Sequence, residues 1–297
     1  MLKKKVIAIV GPTCVGKTKL SVELAKLYQG EIINGDSTQI YRGMDIATAK
    51  VTEEEKEDIP HHLFDIRDMD EEYTVYEYQK DCRQKIEQIQ ERGHVPIIVG
   101  GTGLYIKAAL YDYQFTDEIN PIREYTESTE DLYQQLVKVD PYTDIHPHNR
   151  KRIMRALSYF TETGNIPSQK EKTETLLYDV IWIGLTTDRE LLYDKINNRV
   201  DKMVDAGLLD EAMQIYKSGI RSKAVLTPIG YKELFPYFEG HDSLENCLSM
   251  IKQNSRHYAK RQYTFFNRQL KINWFFTNYD DFEQTVVNVQ NFINNDL

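Results

Sequence analysis

The segment Val6–Leu20, VIAIVGPTCVGKTKL, combines residue types and spacing that can hold phosphate. Two glycines, Lys17 and Thr18 fit the pattern G-x-x-x-x-G-K-[ST]. The glycines let backbone N–H groups turn toward an anion, the lysine adds a positive charge, and the threonine hydroxyl can hold Mg²⁺. A buried strand is predicted over Val6–Val10 and a helix over Lys19–Tyr28, so the anion would lie at a helix N-terminus. The predicted phosphate-binding residues are Gly11, Pro12, Thr13, Cys14, Val15, Gly16, Lys17 and Thr18.

Two other predicted strands end in residues that could take part in the same site. Asp36 follows the strand predicted over Glu31–Asn34, and Gly100–Thr102 follows the strand predicted over Val95–Val99. Ligands of open α/β sheets bind beyond the carboxyl ends of the strands, so these groups are expected near the phosphate loop. Asp36 alone fits either a catalytic carboxylate or a turn residue. The acid that often holds Mg²⁺ at a strand end in P-loop ATPases is missing after Val95–Val99, which argues weakly against ordinary ATP hydrolysis.

The composition is typical of a soluble globular protein. The chain has 297 residues, of which 41% are apolar and 28% are charged. Five apolar residues before Gly11 are too few for a signal peptide, and no run is long enough to span a membrane. The three cysteines are far apart, and the adjacent His61 and His62 diverge without a third ligand, so neither a disulfide framework nor a metal knuckle is predicted. We predict a cytoplasmic protein that does not bind membranes.

Charge is distributed unevenly along the chain, which has a net charge of −9. Thr52–Glu72 holds ten acidic and two basic residues, whereas Asn246–Tyr279 holds no acidic residue. In the second segment Lys252, Arg256 and Lys260 are spaced to share one face of a helix, with aromatic residues nearby. This face could be simply solvated, or it could bind RNA through phosphate contacts and base stacking.

Alternating strands and helices predict an α/β core with a parallel sheet and helices on both faces. A further buried strand is expected over Val180–Leu185. No strong strand is predicted from about Tyr113 to Thr173, where helices are predicted over Asp131–Val139 and Asn149–Thr161. We therefore predict a catalytic core of residues 1–112 and 180–297, with basic C-terminal helices, and a mostly helical insertion of residues 113–179.

Six segments occur together in a specific order: GPTCVGKT, DSTQIYRGMDIATAK, PHHLFDI, VGGTGLYIKA, HPHNRKRIMRALSYFTETG, and IGYKE followed by RHYAKRQYTFF. Through them the chain resembles the tRNA dimethylallyltransferase family (isopentenyl-diphosphate:tRNA transferases) of the bacterial type, over nearly its whole length. The departures are small. Cys14-Val15 stands in place of the more usual Ala-Ser, Ala47 where Gly is common, and Phe265 where Trp is frequent.

The resemblance implies a P-loop NTPase-like core and a prenyl transfer. A dimethylallyl group would pass from dimethylallyl diphosphate to the exocyclic amine of adenosine 37, beside the anticodon in the tRNA anticodon loop. The loop Gly11–Thr18 would hold the diphosphate, with Lys17 catalytic and Mg²⁺ as cofactor at Thr18. Asp36 would be the general base, and Thr102 would bond to the same amine. The resemblance also implies a monomer, and tRNA contacts from Asp36, Ser37, Thr38, Gln39, Thr102, Arg123, Lys151, Arg152, Ile153, Met154, Arg155, Thr227, Pro228, Ile229, Gly230, Tyr231 and Lys232.

Two other classes of protein retain part of the pattern. A small-molecule P-loop kinase would share the loop, Asp36 and the glycines at 100 and 101, but it would not explain the basic C-terminal helix. A non-catalytic RNA-binding protein would explain that helix, but not an intact Lys17-Thr18 pair beside Asp36.

Overall fold

A six-stranded parallel sheet runs through the part of the chain that the computed structural model describes, which is residues 5–113, 115, 125–169 and 175–295. The strands are β1 (Lys5–Val10), β2 (Gly30–Asn34), β3 (His61–His62), β4 (Val95–Val99), β5 (Asp179–Thr186) and β6 (Asn273–Phe276). Their order across the sheet is β3-β2-β4-β1-β5-β6, and every neighbouring pair is parallel. The predicted α/β fold with a parallel sheet is confirmed.

Helices connect the strands and cover the sheet. They are α1 (Lys17–Tyr28), α2 (Glu53–Lys56), α3 (Val75–Glu91), α4 (Gly103–Leu110), α5 (Thr129–Val139), α6 (Arg150–Thr163), α7 (Arg189–Asp205), α8 (Leu208–Ser218), α9 (Lys223–Leu226), α10 (Phe235–Phe238), α11 (Leu244–Gln269) and α12 (Phe282–Asn295), with a short 3₁₀ helix at Pro167–Gln169. Among the described residues no helix combines the length and apolar character needed to cross a membrane.

The central strand β1 shows why helices must lie on both faces of the sheet. Its side chains alternate between the faces, and Val6–Val10 are fully buried. On one face β1 joins a core that includes α3, α4 and α11, and on the other it joins a core that includes α1 and α12. A strand buried on both faces is an unbroken apolar run. This is the pattern from which the strand was predicted.

The order of the strands creates a crevice at the sheet's carboxyl edge. β1 and β4 are neighbours, yet α1, which follows β1, and α4, which follows β4, pack on opposite faces. The loops after these two strands therefore diverge and leave a gap between them. Such gaps are where open α/β sheets bind ligands.

A second compact unit, Asp112–Thr175, separates from the first, which comprises Met1–Tyr111 and Leu176–Leu297. Within the second unit α5 and α6 pack through Leu132, Leu136, Ile153, Ala156 and Leu157. The chain leaves the first unit at Tyr111 and returns at Leu176, and these two residues face each other in an antiparallel bridge. The functions assigned to the two domains stay predictions.

Several elements were not predicted from the sequence. They include the two-residue strand β3, the edge strand β6, and helices α4 and α12. β6 is exposed at both ends and only partly buried between them, so it lacks a continuous apolar run. It also lies within the acid-free segment, for which only a basic helix with aromatic residues was predicted.

Glu31 is a buried carboxylate near the amino end of β2, on the edge opposite the crevice. Its side chain is 5% exposed, and it bonds to both Arg92 (2.7 Å) and the rings of His62 (2.6 Å) and His94 (2.7 Å). Burial alone would raise the pKa of Glu31, but hydrogen bonds from Arg92, His62 and His94 outweigh it and lower the pKa to about 2. Glu31 therefore joins β2, β3 and the start of β4 by an ionic network.

The lowered pKa predicts how stability depends on acid. From this shift we expect Glu31 to contribute at most about 3 kcal/mol to the free energy of unfolding above its unfolded pKa, and to lose this contribution as pH falls from about 4.5 toward 2. About half is lost by pH 3. Urea unfolding at pH 7 and pH 3 should therefore show a smaller pH effect in Glu31→Gln than in the wild type. The exposed Glu87→Gln is the matched control, and a pH effect equal in Glu31→Gln and wild type would contradict the prediction.

Candidate active site

A cavity of about 940 Å³ opens at the crevice between β1 and β4. Five segments of the first unit contribute most of its lining: Thr13–Lys19 without Val15, Asp36–Gln39, Ala47–Ala49, Val99–Gly103 and Thr227–Gly230. Side chains of α7 and α11 close another side. The cavity thus contains the three strand ends that carried candidate residues in the sequence.

The phosphate loop joins β1 to the N-terminus of α1. Gly11 and Gly16 have positive φ angles of 137° and 88°, and Cys14 also lies in the left-handed region at 67°. Gly16 is the N-cap residue of α1, and no side chain caps this helix. Its first N–H groups are therefore not bonded by a cap side chain and belong to a loop shaped for an anion. Thr13, Cys14, Gly16, Lys17 and Thr18 line the cavity.

The remaining loop residues shape the loop from outside the cavity. Val15 is fully buried with α1 and α12, and Pro12 provides the carbonyl that accepts from Lys17 Nζ at 2.6 Å. Gly11 lies too close to the backbone of Leu185 for any side chain to fit. The side chains of Pro12 and Val15 lie outside the cavity and Gly11 has none, so only the backbone of these residues could bind an anion.

Lys17 is buried close to a second cation, and both conditions disfavour its charged form. Burial has the largest effect and lowers its pKa, Asp36 raises the pKa and Arg199 lowers it, and the net result is a pKa of about 8. Arg199 was not predicted. It projects from α7 to donate to Thr13 Oγ1 at 2.9 Å and lies 3.6 Å from Cys14 Sγ. Two cations therefore meet at the phosphate loop, which is an arrangement that a diphosphate would stabilise.

Asp36 lies directly beyond β2, with its carboxylate in the cavity. Its Oδ1 accepts from Thr38 Oγ1 and Thr102 Oγ1, both at 3.3 Å. The Gly101 N–H also donates to the Asp36 carboxylate. Burial raises the pKa of Asp36, while Lys17 and these hydrogen bonds lower it; the net shift is upward. A carboxylate with a raised pKa, held by hydrogen bonds in a cavity, can accept a proton.

Gln262 of α11 joins the two halves of the site. Its Oε1 accepts from the Thr13 N–H at 2.9 Å, and its Nε2 donates to Gly101 O at 3.2 Å. The approach is so close that any side chain at Gly101 would overlap the Gln262 amide. The hydroxyl of Tyr258 is hydrogen-bonded to Thr102 and Gln262. Gln262 is 4% exposed among apolar residues of α11, and a polar residue on a buried helix face is the signal that could have identified it.

A second carboxylate, Glu211 of α8, holds the outer wall of the cavity. It accepts hydrogen bonds of 2.8–3.1 Å from the backbone N–H groups of Asp45, Ile46 and Ala47, and one of 2.7 Å from the Tyr231 hydroxyl. Gln39 bonds to the Thr48 and Ala49 carbonyls on the other side of this loop. Tyr231 is fully buried, and its role here is to join segments rather than to face a ligand.

The other residues predicted to contact tRNA fall into several environments. Asp36, Ser37, Thr38, Gln39 and Thr102 line the cavity, as do Thr227, Pro228, Ile229 and Gly230. Lys232 is exposed and donates to Leu226 O. In the second unit Lys151, Arg152 and Arg155 are exposed and Met154 is half-buried. Ile153 is fully buried in the α5–α6 core, so its side chain serves packing instead. Arg123 lies outside the described residues.

The basic face of α11 differs from its prediction. Lys252, Arg256 and Lys260 do share one helix, but Lys252 pairs with Asp201 at 2.6 Å and Arg256 donates to Asn197 Oδ1 at 2.6 Å, both on α7. The exposed cations lie further along, at Lys260, Arg261 and Arg268, around a smaller cavity of about 360 Å³. Phe266 is core rather than a stacking platform. The sequence did not show this because the partners of Lys252 and Arg256 come from another helix, and only Asp201 carries a neutralising charge.

This geometry defines a P-loop α/β protein whose phosphate loop faces a carboxylate across one cavity. A scan of family models matches residues 39–269 to IPP transferase. A tRNA dimethylallyltransferase from Anoxybacillus flavithermus is 47% identical over 98% of this chain and 96% of its own. A tRNA isopentenylpyrophosphate transferase structure from Bacillus halodurans is 43% identical, with a TM-score of 0.78, covering 98% and 96% of the two chains. A structure of a eukaryotic dimethylallyltransferase acting on tRNA is 32% identical, with a TM-score of 0.83, covering 98% and 80%. The chain belongs to the IPP transferase family.

Proposed function

We propose that this protein transfers a dimethylallyl group from dimethylallyl diphosphate to the exocyclic amine of adenosine 37 in tRNA, beside the anticodon. The products are isopentenyladenosine in tRNA and diphosphate. The observation that carries the proposal is the single cavity that joins a phosphate loop, two cations and a carboxylate of raised pKa. The names of its relatives support the same reaction.

The phosphate loop acts on the leaving group. As the bond between the allylic carbon and the diphosphate oxygen breaks, its electron pair moves to oxygen and negative charge grows there. Lys17, Arg199 and the backbone N–H groups of the loop stabilise that charge, and because it is larger in the transition state than in the bound donor, they accelerate the step. The added anion also favours the charged form of Lys17, whose pKa burial lowers to about 8.

Asp36 acts on the nucleophile. The lone pair of the adenine amine is delocalised into the ring, so the amine is weakly nucleophilic. As its nitrogen bonds to the allylic carbon, the amine proton passes to Asp36. Thr102 bonds to the same amine, and Ser37, Thr38 and Gln39 line the pocket around it. The target base must leave its stack in the anticodon loop to reach this pocket.

The proposed cofactor is Mg²⁺, and the residues present fit it. Thr18 is exposed at the cavity, next to Lys17, and offers one hydroxyl oxygen. Among the described residues no group of three or more His, Cys, Asp or Glu could hold a metal by itself. One protein oxygen with diphosphate oxygens suits Mg²⁺, which keeps few protein ligands. When bound, Mg²⁺ would neutralise part of the diphosphate charge.

The partners follow from this chemistry. Exposed cations of the second unit, Lys151, Arg152 and Arg155, are proposed to contact tRNA phosphates. As the family resemblance implies, we propose that the protein is a monomer. Because the substrate is tRNA, we propose that the protein works in the cytoplasm. The small-molecule kinase alternative has no support among the relatives.

A label-transfer assay tests the proposal. Unmodified tRNA, Mg²⁺ and the protein are mixed with labelled dimethylallyl diphosphate, or with γ-labelled ATP in a parallel reaction. Label from the prenyl donor should appear in tRNA and, after nuclease digestion, in a modified adenosine. Label transfer from ATP to a small molecule would favour the kinase, and binding of tRNA without transfer would favour a non-catalytic binder.

Replacing Lys260 and Arg268 with Gln should weaken tRNA binding and reduce its salt dependence. Both side chains are exposed at the smaller cavity on α11. Fewer counterions are then released, so the slope of log affinity against log salt should fall by about one to two. Lys252→Gln is the matched control, because its ammonium already pairs with Asp201. Titrations of tRNA at several salt concentrations measure the slope. An unchanged slope would show that Lys260 and Arg268 are only solvated and do not contact tRNA.

A further inference from the structure

The phosphate loop is contacted by residues that run from the end of β6 to the first residue of α12. Thr277 Oγ1 donates to Val15 O at 2.8 Å, and the Tyr279 hydroxyl donates to Cys14 O at 3.0 Å. Phe282 packs on Gly16, where an added Cβ would lie 2.6 Å from the ring. The segment Thr277–Phe282, which we call the C-terminal brace, thus contacts three consecutive loop residues. The matched part of the family model ends at residue 269, before the brace.

The two hydrogen bonds of the brace fix the direction of two peptide groups. In a planar trans peptide, the C=O of one residue and the N–H of the next point in opposite directions. Holding Cys14 O against the brace therefore turns the Val15 N–H away from it, and holding Val15 O does the same for the Gly16 N–H. A peptide without such a bond can rotate and present its carbonyl to the anion, which repels it.

The brace is itself held firmly. The Thr277 N–H donates to Thr186 O at 2.9 Å, which extends the pairing of β6 with β5. The Asn278 N–H donates to the buried Thr285 hydroxyl at 2.9 Å, and Asn278 Oδ1 accepts from Asp280 and Asp281. Helix α12 then packs into the same core as α1. The backbone of the brace is therefore held by β5 and α12 without any contribution from the loop.

We propose that Thr277 and Tyr279 are positioning residues that aim the N–H groups of Val15 and Gly16 at the donor diphosphate. The inference rests on the proposed function, because it assumes that a diphosphate occupies the loop. Burial raises the pKa of Tyr279 to about 12, so its hydroxyl keeps its proton and stays a donor at working pH. Thr277 lies outside the lining of the cavity and Tyr279 lies at its wall, and the hydroxyls of both bond to the backbone of the loop.

Calorimetric binding of inorganic pyrophosphate with Mg²⁺ tests this directly. Tyr279→Phe and Thr277→Val each remove one hydroxyl and keep the side-chain shape. Each should weaken pyrophosphate binding by roughly three- to tenfold, and the double variant by more. The KM for dimethylallyl diphosphate should rise in parallel, whereas tRNA affinity should not change. Thr277→Ser retains the hydroxyl and should bind as the wild type does.

The exposed Tyr237 supplies the matched control, since Tyr237→Phe removes a hydroxyl on a different surface. Wild-type affinity for pyrophosphate in the double variant would overturn the inference. A loss in Thr277→Ser as large as in Thr277→Val would also overturn it, because packing would then explain the effect. Failure of the wild-type protein to bind pyrophosphate would instead contradict the diphosphate site itself, so the two failures are distinguishable.

Discussion

Asp36→Asn is expected to lower the rate constant of a single turnover by on the order of 10²–10⁴-fold, the range for loss of a general base. Asparagine keeps the size of the side chain and one carbonyl oxygen, so Thr38, Thr102 and Gly101 can still bond to it. It cannot take the proton from the adenine amine. The loss should therefore appear in the rate constant with tRNA and donor prebound, and tRNA affinity should change little.

The pH profile gives an independent test of the same role. Burial raises the pKa of Asp36, so the wild-type rate should fall as pH decreases through that raised value, where the base becomes protonated. Asp36→Asn should lack this acidic limb. Asp68→Asn, at a surface ion pair with Arg42, is the matched control. If Asp36→Asn lowers the rate by less than about tenfold, or about 1.4 kcal/mol, then Asp36 only positions the adenine and does not take its proton.

Lys17→Ala is expected to reduce turnover by on the order of 10²–10³-fold at saturating donor, as for removal of one group that stabilises charge in the transition state. The effect should persist at saturation because the charge it meets grows during the reaction. Binding of tRNA should survive. Lys26→Ala, on the same helix but paired with Glu23 and Glu57 at the surface, serves as the control.

The lowered pKa of Lys17 adds a prediction for the free enzyme. Since burial lowers it to about 8, kcat/KM for the donor should fall as pH rises above about 8, where the lysine loses its charge. Bound diphosphate favours the charged form, so kcat should fall only at higher pH. Near wild-type turnover in Lys17→Ala would show that the loop is not the site of the diphosphate.

The sequence predicted those parts of the site that depend on local order. The glycine and lysine spacing defines the loop, and the position of Asp36 after a strand places it on the same edge. Burial on both faces makes the central strands apolar throughout, which is why β1 and β4 were predicted within a residue of their ends. Local propensity and tertiary packing agree in these segments.

The parts that were missed depend on contacts between distant segments. Arg199, Gln262 and Tyr279 reach the phosphate loop from α7, α11 and the residues after β6, and no spacing rule relates them to Gly11–Thr18. For the same reason the sequence overstated the positive charge of α11: Lys252 pairs with Asp201, which lies on α7. Edge strand β6 is too exposed for its burial pattern to reveal it.

The antiparallel bridge between Tyr111 and Leu176 has a consequence for how this architecture can change. The chain departs and returns at neighbouring backbone positions, with the Leu177 N–H bonded to Leu110 O at 2.9 Å. For the first unit, Asp112–Thr175 is therefore equivalent to the loop of a hairpin, because it connects two adjacent backbone positions. Such a module can grow, shrink or be exchanged over evolutionary time without reordering a strand, so the second unit, which we propose to contact tRNA, can diversify while the crevice of the first unit stays unchanged.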